Sequence, residues 1–431
     1  MHLTHRKVFL LVMLLALLLA GCYRPLPRYQ VGQDPVLVAT QSLINGNDST
    51  PTNGIAQDPI ATNLPPTEST PRSLPTLRSE AVEYIVQSGD TLAKIALTYG
   101  VSVYQIMIEN NLINPNLIEV GQFLVIPPVV FTEKGPSFKI IPDSELVYGP
   151  FTANFNVEDF VNNSGGYLSK YSELLDEEFL SGAQIVLRVA QENSINPRIL
   201  LAVLDYQGDW VSRVSPESVY NDYPLGYFDP WYQGLYGQLS WAANELNRGF
   251  YLWQDNKLAV WTLSDNTVVG IDADINAGTA ALQYFMGLLS DQSQWQIAVS
   301  ENGFTKTYQK LFGNPFVFAY DPLLPDGLVQ PVMTLPFKIG DVWLLTSGPH
   351  GGWNGGSAWA ALDFAPPGEA YGCFPSATYV VSSTDGRVVR TGNGAVVVDL
   401  DGDGFEQTGW TILYMHIATE GRIVEGTILQ P

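Results

Sequence analysis

Cysteine, histidine and positive charge are all scarce in this chain. Only Cys22 and Cys373 occur in 431 residues, so a framework of several disulfides is excluded. Charged residues make up 15% of the chain, and acidic ones outnumber basic ones by 43 to 21. The resulting net charge of −22 repels nucleic acid and anionic lipid, so no nucleic acid partner is expected. A neutral or weakly charged polymer fits better. Long apolar runs are missing as well. The run at residues 8–19 is too short to span a bilayer comfortably. Hydrophobic residues at 46% and aromatics at 12% are still enough for real cores, and the length implies about two to four domains.

The short apolar run follows Arg6 and Lys7 and ends in Leu19-Ala20-Gly21-Cys22. That is the layout of an export signal. A small pair directly before cysteine resembles a bacterial lipobox. The resemblance implies cleavage after residue 21, lipidation of Cys22, and a mature protein exported and held at the cell envelope by a membrane lipid anchor. Residues 1–22 are thus expected to be a lipoprotein signal peptide. Cys373 is left as an unpaired thiol in an exported protein. Residues 23–82, with the stretch "GNDSTPTNGIAQDPIATNLPPTESTPRSLPTL", show no hydrophobic periodicity and are expected to form a disordered tether.

Patterned structure begins at "YIVQSGDTLAKIALTYGVSVYQIMIENNLINPNLIEVGQFLVIPP". A short strand, a helix with Leu92, Ile95 and Ala96 on its apolar face, a second helix with Val103, Ile106 and Met107, and a closing strand can be read from it. Asp90 is a plausible N-cap. The Y-x-V-x-x-G-D-T-L opening, "IENNL" and the closing G-Q-x-L-x-I-P resemble a LysM module over residues 83–128. The resemblance implies binding to peptidoglycan or another N-acetylglucosamine polymer. Its two groove loops correspond here to Gly89, Asp90, Thr91 and to Asn111, Leu112, Ile113.

Residues 150–320 read as helical. "AQIVLRVAQENSINPRILLAVLDYQGDW" gives two helices joined at residues 193–197, with Pro197 in the first turn of the second. The order of an N-P-x-x-L-L-A helix, a G-L-x-x-Q-L-like segment at 234–239 and an N-A-G-T-A-A-L-Q-Y-F helix at 276–285 resembles lysozyme-like lytic transglycosylases and glucosaminidases. That family places a catalytic Glu where this chain has Gln207, and Gln cannot act as a general acid. Asp205, two residues away, faces roughly the opposite side. The domain is therefore expected to be inactive as a glycosidase. Trp210, Tyr223, Tyr227, Trp231 and Tyr236 are candidates to stack on sugar rings, or to pack a core.

From about residue 335 the pattern turns to short strands, "ATYVVSS", "GRVVRTG", "AVVVDLD", "GWTILYMHI" and "GRIVEG". The mature chain keeps two histidines, His350 and His416, and both lie here. "GPHGGWNGGSAWAALDFAPPG", "SSTDGRVVRTGNGAVVVDLD" and "TILYMHI" resemble the lysostaphin-type zinc endopeptidases of peptidoglycan. The resemblance implies zinc as cofactor, His350 and Asp363 as ligands, and His416 as the catalytic stabiliser. Twelve residues lie between the two ligands, nine more than in the family's H-x-x-x-D, and they include four glycines, which suits a loop that brings its ends together. The family's later H-x-H does not occur before Pro431, which suggests a C-terminally truncated sequence. Glu406, Asp399 and Glu425 are conceivable substitutes for the third ligand. "DLDGDGFE" opens like a calcium loop but has Trp410 at position twelve, so a polar turn is expected.

The expected fold class is multidomain α+β: a small β-α-α-β LysM module, an α-helical lysozyme-like domain, and an incomplete antiparallel all-β peptidase-like domain at 335–431. The expected function is a peptidoglycan-binding lipoprotein whose full-length form hydrolyses peptide cross-links by zinc-assisted amide hydrolysis. The rival expectation is a non-catalytic wall-binding scaffold or hydrolase activator.

Overall fold

The computed structural model describes residues 72–131, 133–176, 178–324, 327–353, 355–368 and 376–431. Cys22, Cys373 and the signal peptide lie outside them. Among the described residues no helix is long and apolar enough to cross a membrane.

The first module is a two-stranded antiparallel sheet clasping two helices. β1 (Val82–Ile85) is followed by α1 (Leu92–Tyr99), α2 (Val103–Glu109) and β2 (Phe123–Ile126). Val82 pairs with Ile126 and Ile85 with Phe123. Leu92, Ile95, Ile106, Leu124 and Ile126 are buried between sheet and helices. Ser102 and Gln105 close a reciprocal capping box on α2. On α1 the cap is Thr91, whose side chain accepts from the Lys94 N–H, and not Asp90. The Asp90 carboxylate is instead engaged by the Tyr84 hydroxyl and the Gln87 N–H, each at 2.7 Å.

The end of the expected tether is ordered. The Arg72 N–H donates to Ala273 O, and its guanidinium lies over Trp253. Arg78 donates to the carbonyls of Ile126 and Pro127. Two arginines in a Pro-rich stretch give no periodicity, yet each finds carbonyls or a ring to hold it.

The helical unit contains α3 (Asp143–Leu146), α4 (Val157–Ser164), a hairpin of β3 (Ser172–Leu175) and β4 (Glu178–Ser181), then α5 (Gly182–Asn193), α6 (Pro197–Gly208) and the long α7 (Leu235–Gln254). A second hairpin, β5 (Val260–Thr262) with β6 (Val268–Gly270), precedes α8 (Ala277–Leu289), α9 (Gln292–Ala298) and α10 (Phe304–Phe312). Asn196 caps α6 with Pro197 at its first position, as the sequence predicts. Ile199, Leu200, Leu201, Ala202, Val203 and Leu204 are all 0% exposed, so α6 is a central helix buried all round. Ile140, Ile141 and Leu146 belong to the same core, so the unit starts upstream of residue 150. One short turn of helix carries no periodicity that would have revealed it.

What fixes that upstream segment is a buried ion pair. Glu145, 0% exposed, receives Arg198 Nε at 2.6 Å and Nη2 at 3.0 Å on its two oxygens. The Tyr308 hydroxyl of α10 donates to the same carboxylate. The guanidinium is flanked by the Phe155 and Phe318 rings at 5.3 and 4.2 Å. Bidentate geometry and full desolvation make each partner dependent on the other.

The C-terminal region divides into two sheets. β7 (Leu344–Gly351) and β8 (Trp359–Ala365) form a hairpin of their own. β9 (Gly386–Gly392), β10 (Ala395–Asp399), β11 (Thr411–Tyr414) and β12 (Ile428–Leu429) form an antiparallel sheet in the order β11-β10-β9-β12. Asn393 and Gly394, both at positive φ, turn β9 into β10 as a tight hairpin requires. Two expected strands are absent. "ATYVVSS" makes only isolated backbone bonds with residues 334–336, and "GRIVEG" is turn, with the strand falling just after it.

Glu145→Ala leaves the Arg198 charge buried without its partner. It should destabilise the helical unit by about 3–5 kcal/mol, read by denaturant unfolding followed through tryptophan fluorescence. Replacing both partners with apolar residues should recover most of that loss.

Candidate functional site

β7 and β8 carry the residues that the C-terminal pattern singled out. Their ladder is irregular, with register shifts between Leu345 and Ser347, Ser347 and His350, and His350 and Gly351. Such irregularities re-aim side chains. Here His350 pairs with Ala361 and Ser347 with Asp363, and the two functional side chains meet diagonally. His350 Nε2 lies 3.1 Å from Asp363 Oδ2.

That approach is a charge pair once the ring is protonated, and in the neutral ring it leaves Nε2 as an acceptor. Although the His350 side chain is 35% exposed, its Nε2 atom is shielded from water. Nδ1 lies 2.9 Å from the Gly351 carbonyl. A carbonyl only accepts, so Nδ1 carries the proton and Nε2 of the neutral ring keeps a lone pair. Hydrogen bonding by the Gly351 carbonyl, reinforced by the Asp363 charge, raises the His350 pKa above the usual histidine range. Protons therefore compete with any metal for this nitrogen.

The pair fits zinc at two ligand positions. Two tetrahedral ligands at zinc–nitrogen and zinc–oxygen distances sit about 3.3 Å apart, close to the observed separation. A carbonyl accepting from the other ring nitrogen is the usual way of fixing a ligand histidine. No third His, Cys, Asp or Glu joins the pair among the described residues. The conceivable substitutes are engaged elsewhere. Glu406 forms an ion pair with Arg390 at 2.9 Å, and Glu425 accepts from the Thr391 N–H. Asp399 accepts from the N–H groups of Asp401, Gly402 and Gly404.

His416 stands two residues past the end of β11, exposed and at φ 60. It is neither in a strand nor joined to the His350–Asp363 pair by any interaction among the described residues. Asp399, Asp401 and Asp403 bring ligand oxygens within 4.8 Å of one another. Backbone N–H groups already engage Asp399, as in an acidic turn.

In the first module, Gly89 has φ 86 and Asn111 φ 53, so both loops use left-handed backbone. The Asp90 hydrogen bond pushes the Tyr84 hydroxyl up to about 12. Thr91 caps α1, Leu112 packs on the module's core, and Ile113 is 97% exposed. These are positions on two loops; no hydrogen bond links one loop to the other among the described residues.

In the helical unit Gln207 rests against Met286, and the buried Asp205 accepts from the Ser212 N–H at 2.8 Å. Asp205 therefore closes the turn after α6. Of the aromatic candidates, Trp210 is fully buried against Tyr167 and Tyr171, and Tyr227 stacks on Trp241 at 4.0 Å. The Tyr236 hydroxyl donates to Glu192, and Tyr223 lies beside Phe228. Trp231, 92% exposed, is the one presented almost fully to solvent.

One contact had no signal in the sequence. The glycine loop between His350 and Asp363 rests on α7, where the Gly356 N–H donates to Asn244 Oδ1 at 2.8 Å.

Comparison with known proteins identifies two of these regions. Residues 84–127 match the LysM domain family, and residues 139–324 match the family described as LasA, N-terminal domain. The small β-α-α-β module is thus a LysM domain. The helical region, which the sequence likens to transglycosylases, matches the LasA N-terminal domain. The N-acetylmuramoyl-L-alanine amidase XlyA of Bacillus subtilis (strain 168) is 40% identical over 75 residues, 17% of this chain and 25% of the amidase. The chain therefore spans about a quarter of that relative. No solved structure matches it.

If the pair binds metal, full-length protein dialysed against zinc should retain it, and His350→Ala and Asp363→Ala should each lose at least tenfold in affinity. Elemental analysis with chelator competition measures this. Equal retention by wild type and both variants would exclude the hairpin as the site.

Proposed function

We propose that this chain is a peptidoglycan-binding protein of the cell envelope, anchored through Cys22, with a zinc-dependent endopeptidase site on the β7–β8 hairpin. The observation that carries the reading is His350 Nε2 set 3.1 Å from Asp363 Oδ2, with Nδ1 committed to the Gly351 carbonyl. His350 and Asp363 would hold the metal. Bound zinc supplies an acidified water and a polarised scissile carbonyl. The LysM domain supplies the glycan contact, through Gly89, Asp90 and Thr91 on one loop and Asn111, Leu112 and Ile113 on the other. The resemblance gives His416 the role of stabilising the developing oxyanion, and its exposed ring is accessible to substrate. The helical unit takes no part as a glycosidase, because Asp205 is committed to a turn and Gln207 cannot donate a proton.

A second reading, a wall-binding scaffold without activity, is favoured by one specific observation. The groups that could complete the ligand set already have partners.

Purified peptidoglycan incubated with the full-length protein and zinc separates the readings. Peptidase activity releases new amino groups and no new reducing ends, and is lost in His350→Ala. Sedimentation with the wall polymer and release of neither group indicates the scaffold. Release of reducing ends would overturn the assignment of the helical unit.

A further inference from the structure

The loop between the two candidate ligands is not free. Gly356 is buried, and a Cβ there would come within 2.0 Å of the Asn244 carbonyl oxygen. Only glycine lets the loop lie this close to α7. Asn244 is itself held in one orientation. Its Nδ2 donates to Glu245 Oε1 at 2.8 Å, which leaves Oδ1 to accept from the Gly356 N–H at 2.8 Å. Glu245 is fixed in turn by Arg248 Nε at 3.0 Å and the Tyr284 hydroxyl at 3.2 Å on its other oxygen. Gly355 lies against the Arg248 guanidinium. At the start of β8, Lys257 beyond the end of α7 sits over the Trp359 ring.

A second contact joins the same two regions. Tyr148 is half-buried, beside Gln191 of α5 and Gln407 of the β10–β11 connection, near Glu406 and Arg390. Among the described residues the hairpin and the four-stranded sheet share no ladder. The helical unit touches both.

We propose that Asn244 is a positioning residue for the His350–Asp363 pair: by gripping the Gly356 N–H it anchors the loop that joins the two ligands to a rigid helix. This rests on the metal reading above. A seven-residue glycine-rich connection has many conformations, and a ligand pair at its two ends would be spread among them. Anchoring the loop on α7 removes that freedom before metal arrives, so the helical unit contributes to metal affinity without supplying a ligand.

The test uses full-length protein and four variants: Asn244→Ala, Gly356→Ala, their combination, and Asn247→Ala. Asn247 lies on the same helix, but its buried amide serves the Asn193 carbonyl, so it controls for general damage to α7. Two readouts are taken, the zinc dissociation constant by chelator competition and amide hydrogen exchange of residues 351–357 without metal. The expected result is zinc affinity about tenfold or more weaker in Asn244→Ala and Gly356→Ala. The combined variant should be no worse than the weaker single one, because both break one contact. Asn247→Ala should leave affinity unchanged, and only the first two lesions should deprotect the Gly356 amide. Unchanged affinity in Asn244→Ala, or an equal loss in Asn247→Ala, overturns the proposal. Should Gly356→Ala fail to fold, Asn244→Ala decides alone. Should wild type bind no zinc, the metal reading fails by itself. The positioning proposal is then upheld if Asn244→Ala deprotects the loop and overturned if it does not.

Discussion

A carboxylate with no access to water must be matched in place, and Glu145 imposes that demand on the helical unit. Arg198 meets it with two hydrogen bonds from α6, and Tyr308 adds a third from α10. Three segments far apart in sequence are thereby tied at one point, and the apolar core closes around them. On that frame sits α7, whose first N–H groups are held by the Glu173 carboxylate of β3. A negative group at a helix N-terminus is favourable in its own right. Gly234, at φ 88 and with no room for a Cβ beside Glu173, lets the chain enter the helix there. The long helix so fixed becomes the surface on which the glycine loop lies.

How much of this could be read from the sequence differs by region, for physical reasons. The LysM module was legible because its core lies on two short helices and two strands with clean periodicity, and its turns carry glycine and asparagine where positive φ is needed. The α5–α6 junction was legible from Asn196 and Pro197, whose capping roles depend on local chemistry alone. The start of the helical unit was not, because Glu145 matters through a partner 53 residues away. The fate of "ATYVVSS" was equally hidden: β-branched residues favour strand, but a strand needs a full ladder, and here residues 334–336 offer only isolated bonds.

The candidate site was half legible. Two histidines in one region, with recognisable flanks, drew attention to His350, Asp363 and His416. That His350 and Asp363 would meet depended on hairpin irregularities the sequence does not encode in any local pattern. That His416 would stand past the end of β11 depended on a left-handed residue that histidine adopts only occasionally. The Asn244–Gly356 contact links a helix position to a loop position 112 residues on, and no spacing rule reaches so far.

Under the proposed reading labour is divided: the LysM domain would raise the local concentration of wall polymer, the helical unit would order the loop, and the hairpin would hold the chemistry. The most direct test of that account is X-ray absorption at the zinc edge on the loaded full-length protein. The account predicts a mixed nitrogen and oxygen shell near 2.0–2.1 Å with the outer-shell signature of an imidazole, diminished in His350→Ala. An all-oxygen shell, or an imidazole signature unchanged in that variant, would contradict it.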